Sequence, residues 1–561
     1  MGVEAVPKTD NTGLLPTAAL IEGKGLHDHV ESSHAVTETT AADAAARQDD
    51  GEDADDCTAW EIVKQNPATI GYAICANFGP LLFGYDGLAI STIIGLPAFA
   101  TDFAEPFGTT YIIPALWQGL WTAFNQLGVM IGALLNGFLQ DRFGRRPMVF
   151  LGSFTVSGAV AMGYTSYMPE SREARRFLML MAKILLGVGM GVLMSTCQTY
   201  VSEIAPAKIR GTLLGFYTFT LVIGQTIAIS VVFSRVAIMD RSAYLIPIAL
   251  QWMFAGFCII GGLLMPRSPS YLVVKGRIED ARRSFEKLYG KTPRAAAQLS
   301  TLIATVNHER EAELAMGRDG VHFKELFQGP NLRRTRIVWL LNVLQQFTGI
   351  SLLSNAIYFL IMAGMNPAQS LEINQIGVSL GLPCILLSYY TMQRFGRRAI
   401  ILASMTVIVF LFLGMGIAGI YPGHAVALKF IGVALLLVGF VGNLGIIPAY
   451  QVVASEISSA PCYDAVVGLC DKRTFRLGFS FVVPYMFNAD EGNLGGKIGF
   501  VFVGLGLIGI LLAWLEIPET RNKSYAQLHL LFENRTPTRA FKKAMPKDID
   551  IAPGKAGSIQ E

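Results

Sequence analysis

Asp86 carries the sharpest chemical demand in this chain. It stands in Phe83-Gly84-Tyr85-Asp86-Gly87, about halfway along an apolar run over residues 68–95. A carboxylate at that depth needs a cationic partner or a proton. Its chemistry is then proton binding and release; the plainer account is an acid facing a wet cavity. A second concentration of charge is Asp141-Arg142-Phe143-Gly144-Arg145-Arg146, with Glu203 and Arg210 after a later apolar run. Such arginines either set the chain's orientation in a membrane or bridge acids and helix C-termini. Other chemistries are excluded. The seven cysteines are scattered without a CxxC pair, and none of the seven histidines lies inside an apolar run. A disulfide framework, a zinc site and a histidine triad are therefore not expected. Gly290-Lys291-Thr292 looks like the end of a phosphate-binding loop, but position 285 is Phe where that loop requires Gly. With no paired acids or nucleophile–base set in the apolar runs, we expect no enzyme, no cofactor and no metal.

The elements that position these groups follow from composition. The 561 residues are 52% hydrophobic and only 16% charged, with mean hydropathy +0.44; soluble domains carry about 25% charge. Such a chain cannot cover itself with polar groups, so lipid covers part of it. Apolar runs fall at 68–95, 113–137, 147–168, 178–200, 212–234 and 244–265, then at 336–363, 374–392, 399–420, 428–453, 475–488 and 497–516. The eleventh is expected to start nearer 465. The first 65 residues hold fourteen acidic and four basic residues, and read as a disordered acidic tail rather than a signal peptide. The tail from about 517 is polar, and with both ends cytoplasmic the number of spans must be even. Positive charge assigns the sides. Loops holding Arg142, Arg145, Arg146, then Lys208 and Arg210, then Arg394, Arg397, Arg398, then Lys472, Arg473 and Arg476 are expected inside. The loop Leu96 to Tyr111 has no Lys or Arg and is expected outside. Arg172, Arg175 and Arg176, in the loop assigned to 169–177, break this pattern, and Glu170 and Glu173 only partly offset them.

The chain repeats itself. Arg142-Phe143-Gly144-Arg145-Arg146 returns 252 residues later as Arg394-Phe395-Gly396-Arg397-Arg398. Ser202-Glu203-Ile204 returns as Ser455-Glu456-Ile457, and Pro266 pairs with Pro518. Three matches at spacings of 252 or 253 predict two parallel six-helix halves joined by a charged linker. Within that linker Glu279 to Leu288 is expected to be an amphipathic helix. Parallel halves around a mid-membrane site are the architecture of alternating-access carriers.

At this point the residues resemble the sugar porter family of the major facilitator superfamily, over roughly residues 65–535. Gly137 to Arg146 resembles that family's loop between helices two and three, and Tyr200 to Gly211 its helix four–five motif. Pro266-Arg267-Ser268-Pro269 and Pro518-Glu519-Thr520-Arg521 resemble the motifs closing each half. Gln345-Gln346-Phe347-Thr348-Gly349-Ile350 resembles the helix-seven sugar motif. Similarity at Tyr358-Phe359, Ala363-Gly364-Met365 and Glu456-Ile457-Ser458-Ser459 leans toward fungal α-glucoside permeases.

The resemblance implies roles. Lys183 occupies the helix-four place of a cation that faces Asp86 in proton-coupled relatives, although it stands close enough to the end of its run to snorkel instead. Gln225, Gln345 and Gln346 match sugar contacts, with Ser351 where hexose relatives often have Asn. Tyr358 matches an aromatic near the outer gate, and Gln451, beside Tyr450, stands where Trp or Tyr is common. Each Gln alone is equally accounted for by an interhelical hydrogen bond. Asp141, Arg142, Arg145, Arg146, Glu203 and Arg210 are expected to form a cytoplasmic latch, repeated by Arg397, Arg398 and Glu456. Gln393 and Tyr463 depart from the family there, one for an acid and one for an Arg, so the second latch is expected to be weaker or rebuilt from Lys472 and Arg473. Glycines such as Gly128, Gly132, Gly137, Gly187, Gly189 and Gly191 are expected to permit close helix contacts.

The expectation is an all-α membrane protein of twelve transmembrane helices in two pseudo-symmetric halves. Its segments are a tail at 1–65, a half at 66–266, a linker at 267–335, a half at 336–518 and a tail at 519–561. It is expected to move a sugar, an α-glucoside such as maltose or a hexose, with a proton, through the plasma membrane. Sugar, proton and lipid bilayer are its expected partners, without nucleic acid, and it is expected to work as a monomer. Facilitated passage of a hexose or another small metabolite, and a sugar sensor that does not transport, are the alternatives.

Overall fold

A computed structural model describes residues 64, 66–107, 110–315, 327, 329–421, 424–457, 472–521 and 525–542. The first crossing is α1 (Pro67–Ala76) and α2 (Phe78–Ile93), jointed at Asn77, whose Nδ2 donates to the Ala73 carbonyl at 2.7 Å. A short α3 (Pro97–Phe103) follows. Then come α4 (Ala115–Phe143), α5 (Arg145–Tyr164), α6 (Arg172–Ile204), α7 (Ala207–Phe233) and α8 (Ser242–Leu264). The linker contributes α9 (Pro269–Val274), α10 (Ile278–Tyr289) and α11 (Pro293–Ala315). On α10, Ala281, Ser284, Phe285 and Leu288 are buried. This is the i, i+3, i+4, i+7 stripe expected of an amphipathic helix. Its end is tied to the bundle where Thr69 Oγ1 donates to the Leu288 carbonyl at 2.8 Å.

The second half begins with α12 (Gly329–Phe347), α13 (Ile350–Ser354) and α14 (Ala356–Met362). It continues through α15 (Pro367–Phe395), α16 (Arg397–Ala418), α17 (Ala425–Leu444), α18 (Ile446–Ile457), α19 (Lys472–Phe487), α20 (Ile498–Glu516) and α21 (Tyr525–Glu533). Among the described residues, ten helices or jointed pairs are long and apolar enough to cross a membrane, and a shorter apolar helix lies at Phe475–Phe487 within α19. The seventh crossing is the broken set α12–α14. The fold is thus the expected twelve crossings in two six-helix halves.

Three details differ from expectation. A two-stranded antiparallel ribbon, β1 (Glu105–Phe107) with β2 (Thr110–Ile112), interrupts the otherwise helical chain. Arg172, Arg175 and Arg176 belong to the first turns of α6 rather than to a loop. Lys472, Arg473 and Arg476 likewise begin α19. Residues 458–471, where that helix was expected to start and where Tyr463 lies, are outside the described residues, as are the tails up to 63 and from 543.

Glycine sets the spacing of the first half. A Cβ on Gly132 would lie 2.1 Å from the Val188 carbonyl oxygen, and one on Gly191 2.2 Å from that of Val129. Gly128 and Gly187 are as tight, whereas Gly137 meets nothing within 4 Å and plays no such part. Without a strong hydrophobic force between helices in lipid, close backbone approach supplies the packing energy. Gly132→Val should therefore cost more than the about 1–3 kcal/mol of overpacking in a soluble core, because the colliding atom is backbone. The expected result is loss of the monodisperse folded peak in fluorescence-detected size-exclusion chromatography. Gly137→Val, on the same helix, should elute like the parent protein; equal behaviour of the two would contradict this packing.

Candidate functional site: a buried ion pair and a broken seventh helix

Asp86 on α2 and Lys183 on α6 are 3% and 5% exposed. Lys183 Nζ donates to Asp86 Oδ1 at 2.7 Å. Lys183 therefore does not snorkel: its charge is spent on the carboxylate. The second oxygen, Oδ2, accepts from Asn125 Nδ2 on α4 at 3.1 Å. Asn125 was not anticipated from the sequence, where it is one of four amides in the 113–137 run, with Gln118, Gln126 and Asn136. Its placement depends on Gly187, where a Cβ would lie 2.3 Å from the Asn125 carbonyl oxygen. The glycine contact between α4 and α6 thus brings the amide to the ion pair. Two buried charges in lipid require good geometry and further hydrogen bonds to hold, and the three helices supply both.

The seventh crossing breaks at Gly349, with φ +75°, in the left-handed region that favours glycine. A Cβ there would also lie 2.5 Å from Phe412 Cζ. Around the break, Gln345 is 6% exposed, Gln346 0% and Ser351 1%. Ser351 Oγ donates to Gln346 Oε1 at 3.1 Å, and Asn355 Nδ2 donates to the Ser351 carbonyl at 3.0 Å. Gln346 Nε2 is buried without a hydrogen-bond partner among the described residues. Broken helices at mid-membrane are where transporters place ligand sites. Gln225 is half-buried on α7. Gln451 lies on α18, but its side chain is outside the described residues; its neighbour Tyr450 is buried.

Tyr358 stands apart from that cluster. Its hydroxyl accepts from the Ile113 backbone N–H at 3.1 Å, so it joins the second half to the entry of α4. Asn488 Nδ2 donates to the Ile113 carbonyl at 2.9 Å, and Asp490 Oδ2 accepts from Ala115 N–H at 2.9 Å. These bonds, with Ser230 Oγ donating to Gln375 Oε1 at 3.2 Å, tie the halves together at the end of the bundle away from the linker. Tyr358→Phe keeps the ring beside Phe487 but strands a buried N–H, at a cost of about 1–3 kcal/mol. A cysteine placed at Ser480, in a background otherwise free of cysteine, should then react about tenfold faster with an impermeant maleimide. An unchanged rate would mean that this bond does not help hold that end shut.

The same end explains the misplaced arginines. Asp102 on α3 takes Arg175 Nη1 at 2.9 Å, Arg241 Nε at 3.1 Å and the Tyr244 hydroxyl at 2.7 Å. Arg176, 1% exposed, pairs with Glu105 and donates to the Phe103 carbonyl at 2.7 Å. Two of the three charges that broke the orientation rule are therefore neutralised by acids of the 96–111 loop. The hydrogen bond and charge of Asp102 push the Arg241 pKa still higher, so that residue stays cationic.

At the linker end each half closes an ion pair upon itself. Arg145 Nη2 meets Glu203 Oε1 at 2.6 Å, and Arg397 Nη2 meets Glu456 Oε1 at 2.9 Å. Arg146 donates to the Gly262 and Leu263 carbonyls, both at 2.9 Å, and Arg398 to that of Trp514 at 2.7 Å. The sequence repeat is thus a repeat of hydrogen bonds. Arginines on helix C-termini also complement the dipole there. Asp141 is largely exposed and touches Arg145 only at 3.7 Å. Arg142 lies over the ring of Phe143 and joins no ion pair among the described residues. The side chains of Arg210, Gln393, Lys472 and Arg473 are outside the described residues. Glu519 reinforces the second half, accepting from the Arg397 and Arg398 backbone N–H groups at 3.0 and 3.2 Å.

The family model described as "Sugar (and other) transporter" matches residues 72–532. The chain belongs to the sugar porters of the major facilitator superfamily. This porter is 28% identical to "MFS transporter fmqE" of Aspergillus fumigatus, over 92% of this chain and 96% of that protein. It is 27% identical to the "General alpha-glucoside permease" of Saccharomyces cerevisiae, over 91% and 82%. It is 26% identical to that organism's "Maltose permease MAL31", over 89% and 81%. In fold it resembles the Escherichia coli xylose transporter XylE in a partially occluded inward-open conformation, with a TM-score of 0.67 at 20% identity. That match covers 82% of the porter and 100% of XylE. The porter is a multi-pass membrane sugar transporter and not an enzyme.

Proposed function

We propose that this porter carries an α-glucoside such as maltose, or a hexose, together with a proton, by rocking its two halves around a site at the seventh-helix break. The single observation that carries the coupling is the buried contact of Lys183 with Asp86 at 2.7 Å. The acid has two ways to exist without an unpaired charge: bonded to the ammonium, or protonated. If the rocking of the halves is accompanied by a shift of α2 against α6 inside the first half, the acid takes a proton where the pair opens and gives it up where the pair reforms. Sugar hydroxyls meet Gln345, Gln346 and Ser351, with Gln225 and Gln451 from other helices completing the set. The linker end faces the cytoplasm with both chain termini, in a plasma-membrane protein acting as a monomer. The state described, held shut at the opposite end, is inward-facing. The alpha-glucoside and maltose permease relatives support the substrate class.

The experiment is uptake by purified porter in proteoliposomes, with an imposed pH gradient and a panel of mono- and disaccharides. The expected result is maltose accumulation that collapses with a protonophore. Equilibration without accumulation would leave a facilitator. A second reading, transport of a metabolite other than sugar, is supported by fmqE, whose name carries no sugar. It predicts that no sugar of the panel competes for uptake. A sensor would show neither uptake nor exchange.

A further inference from the structure

Gln251, on α8, belongs to none of the clusters above. It is 3% exposed, and its Oε1 is buried without a partner among the described residues. An unpaired amide oxygen inside a membrane bundle is costly. Lys183 holds the complementary surplus, because an ammonium has three donors and one of them goes to Asp86. Both side chains line one cavity between α2, α5, α6 and α8, whose other walls include Ile90, Val160, Met179 and Ile248. The space open to the centre of a water there is about 20 Å³, above the roughly 10–15 Å³ that a single water occupies.

We infer that this cavity is a buried water site, in which one water accepts from Lys183 Nζ and donates to Gln251 Oε1, making Gln251 a positioning residue for the Asp86–Lys183 pair. An apolar occupant would leave both the donor and the acceptor unmet; a water satisfies the two together at little entropic cost. Gln251 itself meets neither sugar nor the transported proton. It acts by fixing where the ammonium points, and so how firmly the carboxylate is paired in this state. Other groups around the pair are already engaged. On α2, the Tyr85 hydroxyl donates to the Pro247 carbonyl of α8 at 2.8 Å, and α4 presents the neutral amide of Asn125. On α5, Tyr164 packs against Trp252 of α8. Two turns along α6, Arg175 and Arg176 are held by Asp102 and Glu105.

The functional half of this inference rests on the proton-symport reading, and the water does not. A cryo-microscopy map of the wild-type porter in nanodiscs, at a resolution that shows waters, should hold density within hydrogen-bond distance of both Lys183 Nζ and Gln251 Oε1. Absence of that density overturns the site. In proteoliposomes, Gln251→Leu should lower proton-driven accumulation about tenfold, the scale of one hydrogen bond to a charge. The midpoint of its pH profile should move by about half a unit or more, while counterflow exchange changes less than about twofold. Gln251→Asn, which keeps a neutral amide oxygen to accept from the water, should restore accumulation in part. A Gln251→Leu porter with the parent's accumulation and pH profile would overturn the positioning role. If the wild type itself never accumulates sugar against a gradient, the symport reading fails, and the map alone decides the water.

Discussion

Asp86→Asn should abolish accumulation of sugar against its gradient while leaving sugar-for-sugar exchange in place. Asparagine keeps the shape of the acid and an oxygen for Lys183, but it has no proton to gain or lose, so the gradient has nothing to act through. In proteoliposomes the internal sugar should stop at the external concentration whatever pH difference is imposed, while labelled sugar still exchanges across the bilayer. Accumulation by the variant equal to that of the parent would remove Asp86 from the coupling. The variant also strands Lys183, 5% exposed, as a buried cation without its counter-ion, at a cost of about 3–5 kcal/mol. Its thermal midpoint should fall accordingly. Adding Lys183→Met removes that stranded charge, so the double variant should regain stability without regaining accumulation. Stability and coupling are thereby separated: one depends on pairing the charge, the other on titrating it.

Gln346→Leu should raise the sugar concentration for half-maximal transport by about tenfold to a hundredfold, the equivalent of about 1.5–3 kcal/mol at a buried polar contact. Leucine fits a wholly buried position of similar volume, so the fold should survive. What is lost is the Nε2 donor that has no partner in the described structure, and the acceptor that holds Ser351 Oγ at 3.1 Å. Calorimetry on the detergent-solubilised porter should show the same loss in affinity. Ser351→Ala should cost less, since it removes a hydroxyl whose described bond is to Gln346 rather than to an outside group. An unchanged half-saturation in Gln346→Leu would move the sugar site away from the helix-seven break.

The particular residues show why some of this was legible in sequence and some was not. An apolar run long enough to span a bilayer has few structural options, because every backbone group must be satisfied within the segment; the twelve crossings follow from that. Asp86 stood out because charge in such a run is rare, and the Arg145 and Arg397 clusters because they repeat at a fixed spacing. The α10 helix was legible through its apolar period. The ion-pairing of Arg175 and Arg176 was not, because their partners Asp102 and Glu105 are about 70 residues away and reach them only through the return of α3 and β1 over the bundle. The break of the seventh crossing was hidden inside a continuous apolar run; hydropathy averages over a bend that Gly349 makes by its φ and by its contact with Phe412.

By itself the sequence determined the membrane class, the two-half repeat, the family, and the presence of a lone intramembrane acid. The membrane class, the repeat and the acid follow from composition and spacing and the family from motifs such as Gln345 to Ile350, and folding alters none of them. Only the tertiary structure decided which groups meet that acid. Lys183 and Asn125 reach it from two other helices, at a distance set by glycine backbones in contact. Partnership between distant residues depends on angles and ångströms between helices, and those are fixed by packing that no linear spacing records.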